Sequence, residues 1–464
     1  MSESNQGYKR PELLPRSTVT DPEEKFATHF RAVLEKANQN YLKGGDGVRD
    51  GLALFDKERI SIVAGQAWAM AQLAGSEAAA RLASAYADVG FYVLILRLPL
   101  RELILWLETG ICACHQLGER HGEGAKLGNL GLSYRQLGEA RRAIGYHEQA
   151  LVISRTSGDR SHEGAALNNL GLTYSDLGEL HKAIGCYEQA LAITRENGDR
   201  RILGQTLGNI GFAYYQLGEA RRAIGYHEQA LVIARAMGNR HDESMSLGGL
   251  ASCHYRLGEP RRAISYYAQQ MTIIRDIRDQ WGEGSALGGL GLAYADLGLL
   301  HMAIEHHERH LAIARAMGDR RGQGAALNNL GNSYVALDEF STAITCYEQA
   351  LTIARETRHR QGEGQTLGNI GSSYYHLGEI GIAIGYYEQD LAIARETGDR
   401  QDESATLWNL ALAHDKLGKR DPAIAYAEAS LITYRAINDP FSSKVEAKLR
   451  DWRSSVGSAA GMAV

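Results

Sequence analysis

Proline is scarce in this 464-residue chain, with 7 residues, and cysteine scarcer still, with 5. The cysteines stand at Cys112, Cys114, Cys186, Cys253 and Cys346, and no two are spaced Cys-x-x-Cys. That spacing excludes the common zinc and redox frameworks and reads as five small apolar fillers in a reducing compartment. No Gly-x-x-x-x-Gly-Lys-Ser/Thr loop occurs, which argues against ATP hydrolysis by this chain. An excess of charge is lacking too. The net charge is −5 and the pI about 6.4, a balance that speaks against nucleic acid as the principal partner. Long apolar runs are missing as well. The most apolar stretch, Phe91 to Trp106, is broken by Arg97, Pro99, Arg101 and Glu102 and is too short to span a bilayer. Residues 1–20 are polar and lack the apolar core of a signal peptide. The expectation is a cytoplasmic protein with no membrane partner.

What is plentiful is glycine, with 52 residues at recurring positions. Asn129-Leu130-Gly131 returns as Asn169-Leu170-Gly171, Asn209-Ile210-Gly211, Asn329-Leu330-Gly331 and Asn369-Ile370-Gly371. The 40-residue period holds without insertion or deletion from His121 to Pro440, eight copies in all. A fixed period of this size marks a solenoid, whose units bury their apolar faces against neighbours.

One copy stands for all. In Ser161 to Arg200, Leu167, Leu170, Tyr174 and Leu177 fall at steps of three and four, which is one helix face. Gly178 supplies the left-handed residue that ends that helix. A second helix buries Ala183, Ile184, Tyr187, Ala190, Leu191 and Ile193, Gly198 ends it, and Asp199 caps the next. Gly171 and Ala183 lack bulk where the two helices should cross. An arginine recurs near the end of the second helix in all eight copies, for example Arg155, Arg235 and Arg395. There it complements the helix dipole and is placed to pair with a glutamate eight residues on, such as Glu163 or Glu243.

Leu-Gly-x-x-Tyr, then Leu-Gly-Glu, then Ala-Ile-x-x-Tyr-Glu-Gln-Ala-Leu resembles the tetratricopeptide repeat in its 40-residue form. That form is similar to the repeats of kinesin light chain and of Leu-Gly-Asn repeat adaptors. The resemblance implies an all-α fold, a right-handed α-solenoid superhelix of helical hairpins, with first helices lining a concave groove for peptide or protein ligands. Ala27-Thr28-His29-Phe30, Leu54-Phe55-Asp56-Lys57-Glu58 and Gln66-Ala67-Trp68-Ala69 resemble the region ahead of the repeats in signal-transducing ATPases.

Four regions follow: a disordered tail over 1–20, a helical N-terminal region with a degenerate repeat over 21–120, eight repeats over 121–440, and a capping helix with a flexible tail over 441–464. Helices are expected over 21–42, over 50–73 as one or two, and over 100–120, the last as the second helix of a degenerate repeat.

No spaced set of side chains outside the repeat template suggests a nucleophile, an acid–base pair or a cofactor site, so no enzyme is expected. Gly122-x-Gly124-x-x-x-Gly128 falls inside a helix and reads as close packing. His306, His307 and His310 crowd one helix, but His307 shares its repeat position with His147, His227, Tyr187 and Tyr347, an aromatic packing position. The functional candidates are Asn129, Asn169, Asn209, Asn329, Asn369 and Asn409, at the position the resemblance turns toward the groove. A ladder of amides both donates and accepts, and so suits the backbone of an extended peptide; bonding between adjacent hairpins is the alternative use. Gly249 and Gly289 interrupt the ladder, and Gln205, Phe212, Tyr215, Met245, Tyr255 and Arg256 are expected around the break as an apolar anchoring pocket. Some members of the family grip acidic C-termini through Lys and Asn; here Gly128, Gly208, Gly248 and Gly368 stand at such positions. The expected function is a non-catalytic scaffold for a protein or peptide, or alternatively a regulatory sensor arm acting with a signalling ATPase.

Overall fold

A computed structural model describes residues 21–44 and 46–461. Among these residues there is no strand, and 22 helices follow one another as an all-α solenoid of hairpins. The expected tail over 1–20 lies outside the described residues. The chain divides into two compact units, Met1–Leu217 and Gly218–Val464. That division separates the two helices of the third repeat, a place the 40-residue period does not mark.

Unit 1 opens with α1 (Pro22–Leu42), α2 (Asp46–Ala71), α3 (Glu77–Val89), α4 (Phe91–Arg97) and α5 (Leu100–Leu117). The stretch expected as one or two helices over 50–73 is the single α2. The helices α3 and α4 were not anticipated. Ser76 starts α3 by accepting from Ala79 N at 3.2 Å through its Oγ. The axis bends 74° between α3 and α4, at Gly90. A β-carbon there would fall 2.5 Å from Leu34 Cδ1, so only glycine fits the bend. The bend turns Phe91, Val93 and Leu94 into a core with Leu34, Phe55, Ile62, Tyr86 and Trp106. The most apolar stretch of the sequence thus buries one face, while Tyr92, Leu96 and Leu105 stay exposed. Among the described residues, no single helix is long and apolar enough to cross a membrane. Phe26, expected on the buried face of α1, is 42% exposed and leans on Phe30 with ring centroids 4.6 Å apart. Cys112 is also exposed, and so is no filler; Cys114 and Cys253 are buried.

The repeats of unit 1 continue as α6 (Arg120–Gln136), α7 (Ala140–Ser157), α8 (Arg160–Asp176), α9 (Leu180–Asn197) and α10 (Arg200–Gln216). Unit 2 holds α11 (Ala220–Met237), α12 (Arg240–Arg256), α13 (Pro260–Ile277), α14 (Gln280–Asp296), α15 (Leu300–Ala316) and α16 (Arg320–Ala336). It ends with α17 (Phe340–Glu356), α18 (Arg360–Leu377), α19 (Ile380–Thr397), α20 (Arg400–Lys416), α21 (Arg420–Ala436) and α22 (Ser442–Gly461). Val445, Leu449 and Trp452 of α22 are buried against Trp408, Ala427 and Tyr434. The helix runs to Gly461.

The turn chemistry follows the sequence. Gly178 and Gly198 have φ of 74° and 73°, and Asp199 accepts from Ile202 N at 3.0 Å. At Arg278, Asp338 and Arg358 the template holds a non-glycine residue at φ of 54°, 61° and 54°, so the flanking helices impose the left-handed turn. Arg155 and Arg160 both bind the buried Glu163, Nε at 2.9 Å and Nη1 at 2.7 Å, and Arg160 reaches on to Glu196. The same relay recurs at Arg235–Glu243–Arg240 and Arg395–Glu403–Arg400. It clasps the second helix of one hairpin to the first helix of the next.

Candidate functional site

The first helix of each repeat buries one face and leaves another open. In α8, Leu167, Leu170, Gly171 and Thr173 are buried. The expected ladder lies beside that face: Asn129, Asn169 and Asn209 in unit 1 and Asn329, Asn369 and Asn409 in unit 2 are all half-buried. The two glycines that interrupt it show where the position looks. A β-carbon on Gly249 would fall 2.5 Å from the His227 ring, and one on Gly289 would fall 2.3 Å from the Tyr267 ring. Both rings belong to the second helix of the preceding hairpin. The position therefore borders the seam between hairpins as well as the open face.

Asn209 uses that seam. Its Nδ2 donates to Asn168 Oδ1 at 3.0 Å, and Thr206 Oγ1 donates to the same oxygen at 3.2 Å. Unit 2 carries a related arrangement, with Thr366 Oγ1 donating to Asn328 Oδ1 at 3.1 Å while Asn328 Nδ2 donates to Gly324 O at 3.2 Å. Asn168 and Asn328 escaped the sequence reading. Their signal was the doublet, Asn168-Asn169 and Asn328-Asn329, where other copies carry glycine or tryptophan before the ladder residue.

The residues expected around the break lie on two helices, one in each unit. On α10, Phe212 is 51% exposed while Gln205 and Tyr215 are half-buried. On α12, Met245 is 61% exposed, Tyr255 half-buried and Arg256 exposed. Trp281, at the start of α14, is also open to solvent and was missed, because it stands off the apolar periodicity. Its signal was a large aromatic at a position where Ser161, Arg201, Arg321 and Gln361 stand in other copies. A separate open cleft of about 610 Å³ lies between α15 and α17, floored by Leu327, Leu330 and Tyr334 of α16.

The histidines behave as packing residues. A β-carbon on Gly131 would fall 2.4 Å from the His147 ring, and one on Gly291 would fall 2.3 Å from that of His307. Burial pushes His147, His227 and His307 down to about 4, so all three are neutral at pH 7. His306 lies against Tyr294 with ring centroids 5.1 Å apart, and His310 lies against Gly288, so the three neighbours on α15 face different partners.

A carboxylate departs from the template at a position where Gln270, His310 and Ser430 depart from it too. Asp390 stands in α19 where Ala150, Ala190 and Ala350 stand elsewhere, and it is 2% exposed. Its Oδ2 accepts from Thr406 Oγ1 at 2.6 Å, and a β-carbon on Gly368 would fall 2.8 Å from the same oxygen. Burial raises its carboxyl to about 8, and the neighbouring Asp402 and Asp399 push in the same direction.

Four stretches of the chain, residues 123–196, 203–276, 283–356 and 363–436, match the family model described as the tetratricopeptide repeat. No curated protein sequence matches the chain. Among solved structures it is similar to a signal transduction ATPase with numerous domains that carries a tetratricopeptide repeat sensor, from Pyrococcus horikoshii. The identity is 16% and the TM-score 0.61, over 80% of this chain and 55% of that one. The chain thus spans about half the length of that protein. It is also similar to the apo quorum sensor NprR from B. thuringiensis, at 14% identity and TM-score 0.54, over 80% of this chain and 99% of that one. A Rap protein complexed with competence and sporulation factor shares 14% identity at TM-score 0.52, over 82% and 99% of the two chains. At these identities the likeness is one of fold. The family match covers more than half of the residues, on the same hairpins whose packing is described above, and the chain belongs to the tetratricopeptide repeat family.

Proposed function

We propose that this chain is a non-catalytic scaffold that holds a protein or peptide segment against the first-helix face of its repeats. The observation that carries this reading is Phe212. Half of its surface is open on a helix whose Leu207, Ile210 and Tyr214 are buried, so it contributes little to the core. An aromatic ring held out on a rigid helix is the kind of group that anchors a partner. The half-buried Asn129, Asn169, Asn329, Asn369 and Asn409 then offer amides to the backbone of an extended segment. The test is recovery of the partner by pull-down from the native host, followed by titration against wild type and Phe212→Ala. A loss of affinity of about tenfold or more is expected for an aromatic anchor. Unchanged affinity removes Phe212 from the interface.

A second reading, a regulatory sensor arm for a signalling ATPase, draws support from α1–α5. These helices build an apolar core that runs on into the first repeat through Leu130, Tyr134 and Ala143. The Pyrococcus horikoshii protein couples an ATPase to a repeat sensor, and its likeness extends over most of this chain. Ile60, 86% exposed on α2, discriminates the two readings. Partner binding lost in Ile60→Ala and kept in Phe212→Ala would favour the sensor arm.

A further inference from the structure

Away from the open face of the first helices, the seam between the first two repeats gathers three side chains that ligate metals. His121 lies in the first turn of α6, Asp159 caps α8, and His162 lies in the first turn of α8. Asp159 Oδ2 lies 3.0 Å from His121 Nδ1 and 2.9 Å from His162 Nδ1. The two rings meet edge-on, with centroids 4.7 Å apart. Meanwhile Asp159 Oδ1 accepts from His162 N at 3.0 Å. One ligating atom from each of the three residues lies within 4.8 Å of the other two.

The repeat separates what the fold requires from what has been added to it. The capping aspartate returns as Asp199, Asp279, Asp319 and Asp399, so Asp159 belongs to the template. The histidines do not. At the position of His121 stand Ser161, Arg201, His241, Trp281, Arg321, Gln361 and Gln401, and at that of His162 stand Ile202, Asp242, Gly282, Gly322, Gly362 and Asp402. Only between α6 and α8 do two imidazoles converge on the cap carboxylate. Both are exposed, so packing does not demand them. Arg160, the neighbouring cation in sequence, is turned away to Glu163 at 2.7 Å and Glu196 at 2.6 Å.

We propose that His121, Asp159 and His162 form a three-ligand site for a divalent first-row transition ion, with Zn²⁺ as the ion that fits it. Two imidazole nitrogens and a carboxylate oxygen match the donor preference of zinc. A tetrahedral ion with bonds of about 2.0–2.1 Å holds its ligand atoms about 3.3 Å apart, a few tenths of an ångström beyond the present N···O distances. The ion takes the place of the protons that the two rings direct at Oδ2. The bond from His162 N to Oδ1 keeps the carboxylate oriented, the role outer partners play at metal sites. The fourth position opens toward solvent, where water or a donor from a bound partner completes the shell.

The test uses the full chain, stripped of metal and carrying no affinity tag. It is titrated with Zn²⁺ by calorimetry and with Co²⁺ by absorption spectroscopy. One ion per chain is expected, with a cobalt spectrum of low coordination number. His121→Ala and His162→Ala should each weaken binding by at least about tenfold. His241→Ala, at the equivalent position three repeats on, should leave it unchanged. Both site histidines are exposed, so the variants are expected to fold, and circular dichroism checks this. Either of two results overturns the proposal: no saturable binding in the wild type, or binding that survives both site variants.

Discussion

A β-carbon on Gly171 would fall 2.4 Å from Cε1 of Tyr187, so the tyrosine ring occupies the volume that any larger residue at 171 would need. The two residues lie on the two helices of one hairpin, and the pair sets how closely those helices approach. Gly171→Ala should therefore destabilise unit 1 by about 1–3 kcal/mol through overpacking, despite the better helix propensity of alanine. Gly185→Ala, on the partner helix with nothing within 4 Å of the new carbon, should stabilise by about 0.5–1 kcal/mol. Thermal unfolding of the two variants should move in opposite directions. Shifts of the same sign would contradict the packing described.

The arginine–glutamate relay gives a second prediction. Glu363 accepts from Arg355 Nε at 3.0 Å and Arg360 Nη1 at 2.6 Å. In the sixth repeat the same place is taken by Gln323, which accepts from Arg320 at 2.9 Å and donates to Ala314 O at 3.2 Å. Glu363→Gln should thus cost less than about 1 kcal/mol, and Glu363→Ala more, about 1–2 kcal/mol, since the alanine removes the acceptor of Arg355 Nε and leaves Arg360 only its bridge to Glu396. Chemical denaturation of both variants tests the order.

Asp390 makes stability depend on pH. Its carboxyl titrates near 8 in the folded chain, because burial and the charges of Asp402 and Asp399 oppose ionisation. The unfolded value is near 3.9, so the folded state binds the proton more tightly. The sign follows: the contribution is complete below about pH 4 and is lost as pH rises through about 8. Asp390→Ala, which restores the residue found at Ala190 and Ala350, should flatten this slope and raise stability at pH 9 by on the order of 3 kcal/mol. Denaturation midpoints at pH 5 and pH 9 decide it; an unchanged slope would place the pH dependence elsewhere.

The two uses of the asparagine ladder separate by mutation. Asn209 already donates to Asn168, so Asn209→Ala should cost about 0.5–1.5 kcal/mol of stability. Asn329→Ala, whose side chain is half-buried beside the open face, should weaken partner binding by a similar energy, about two- to tenfold. Thermal unfolding and a titration of the recovered partner give both numbers for each variant. Stability lost in Asn329→Ala without loss of affinity would make the whole series structural.

Much of this was legible from local spacing. The glycine turns at 178 and 198, the Asp199 cap and the Arg155–Glu163 pair all join residues separated by one short loop. Their geometry is set by the hairpin template, which repeats forty residues later. That Gly171 lies where the two helices cross was legible for the same reason; that the Tyr187 ring fills the space beside it came from the structure. The sequence by itself therefore determined the family, the turns and the cap and ion pair that span one short loop.

The tertiary structure decided what depends on contacts between hairpins or outside the period. The 74° bend falls at Gly90, where Leu34, 56 positions earlier, fills the space a β-carbon would need, and no periodicity marks such a contact. Asn168 and Asn209 sit 41 residues apart and meet only because successive hairpins stack in register. The same stacking brings His121 to Asp159 and His162. Asp390 stands at the repeat position of the buried Ala190, so the period marks its burial, while its neighbours Thr406, from the next hairpin, and Gly364 and Gly368, from the preceding helix, are shown by no period. Local rules fix each hairpin, whereas a side chain's chemistry is set by the neighbours that stacking places around it.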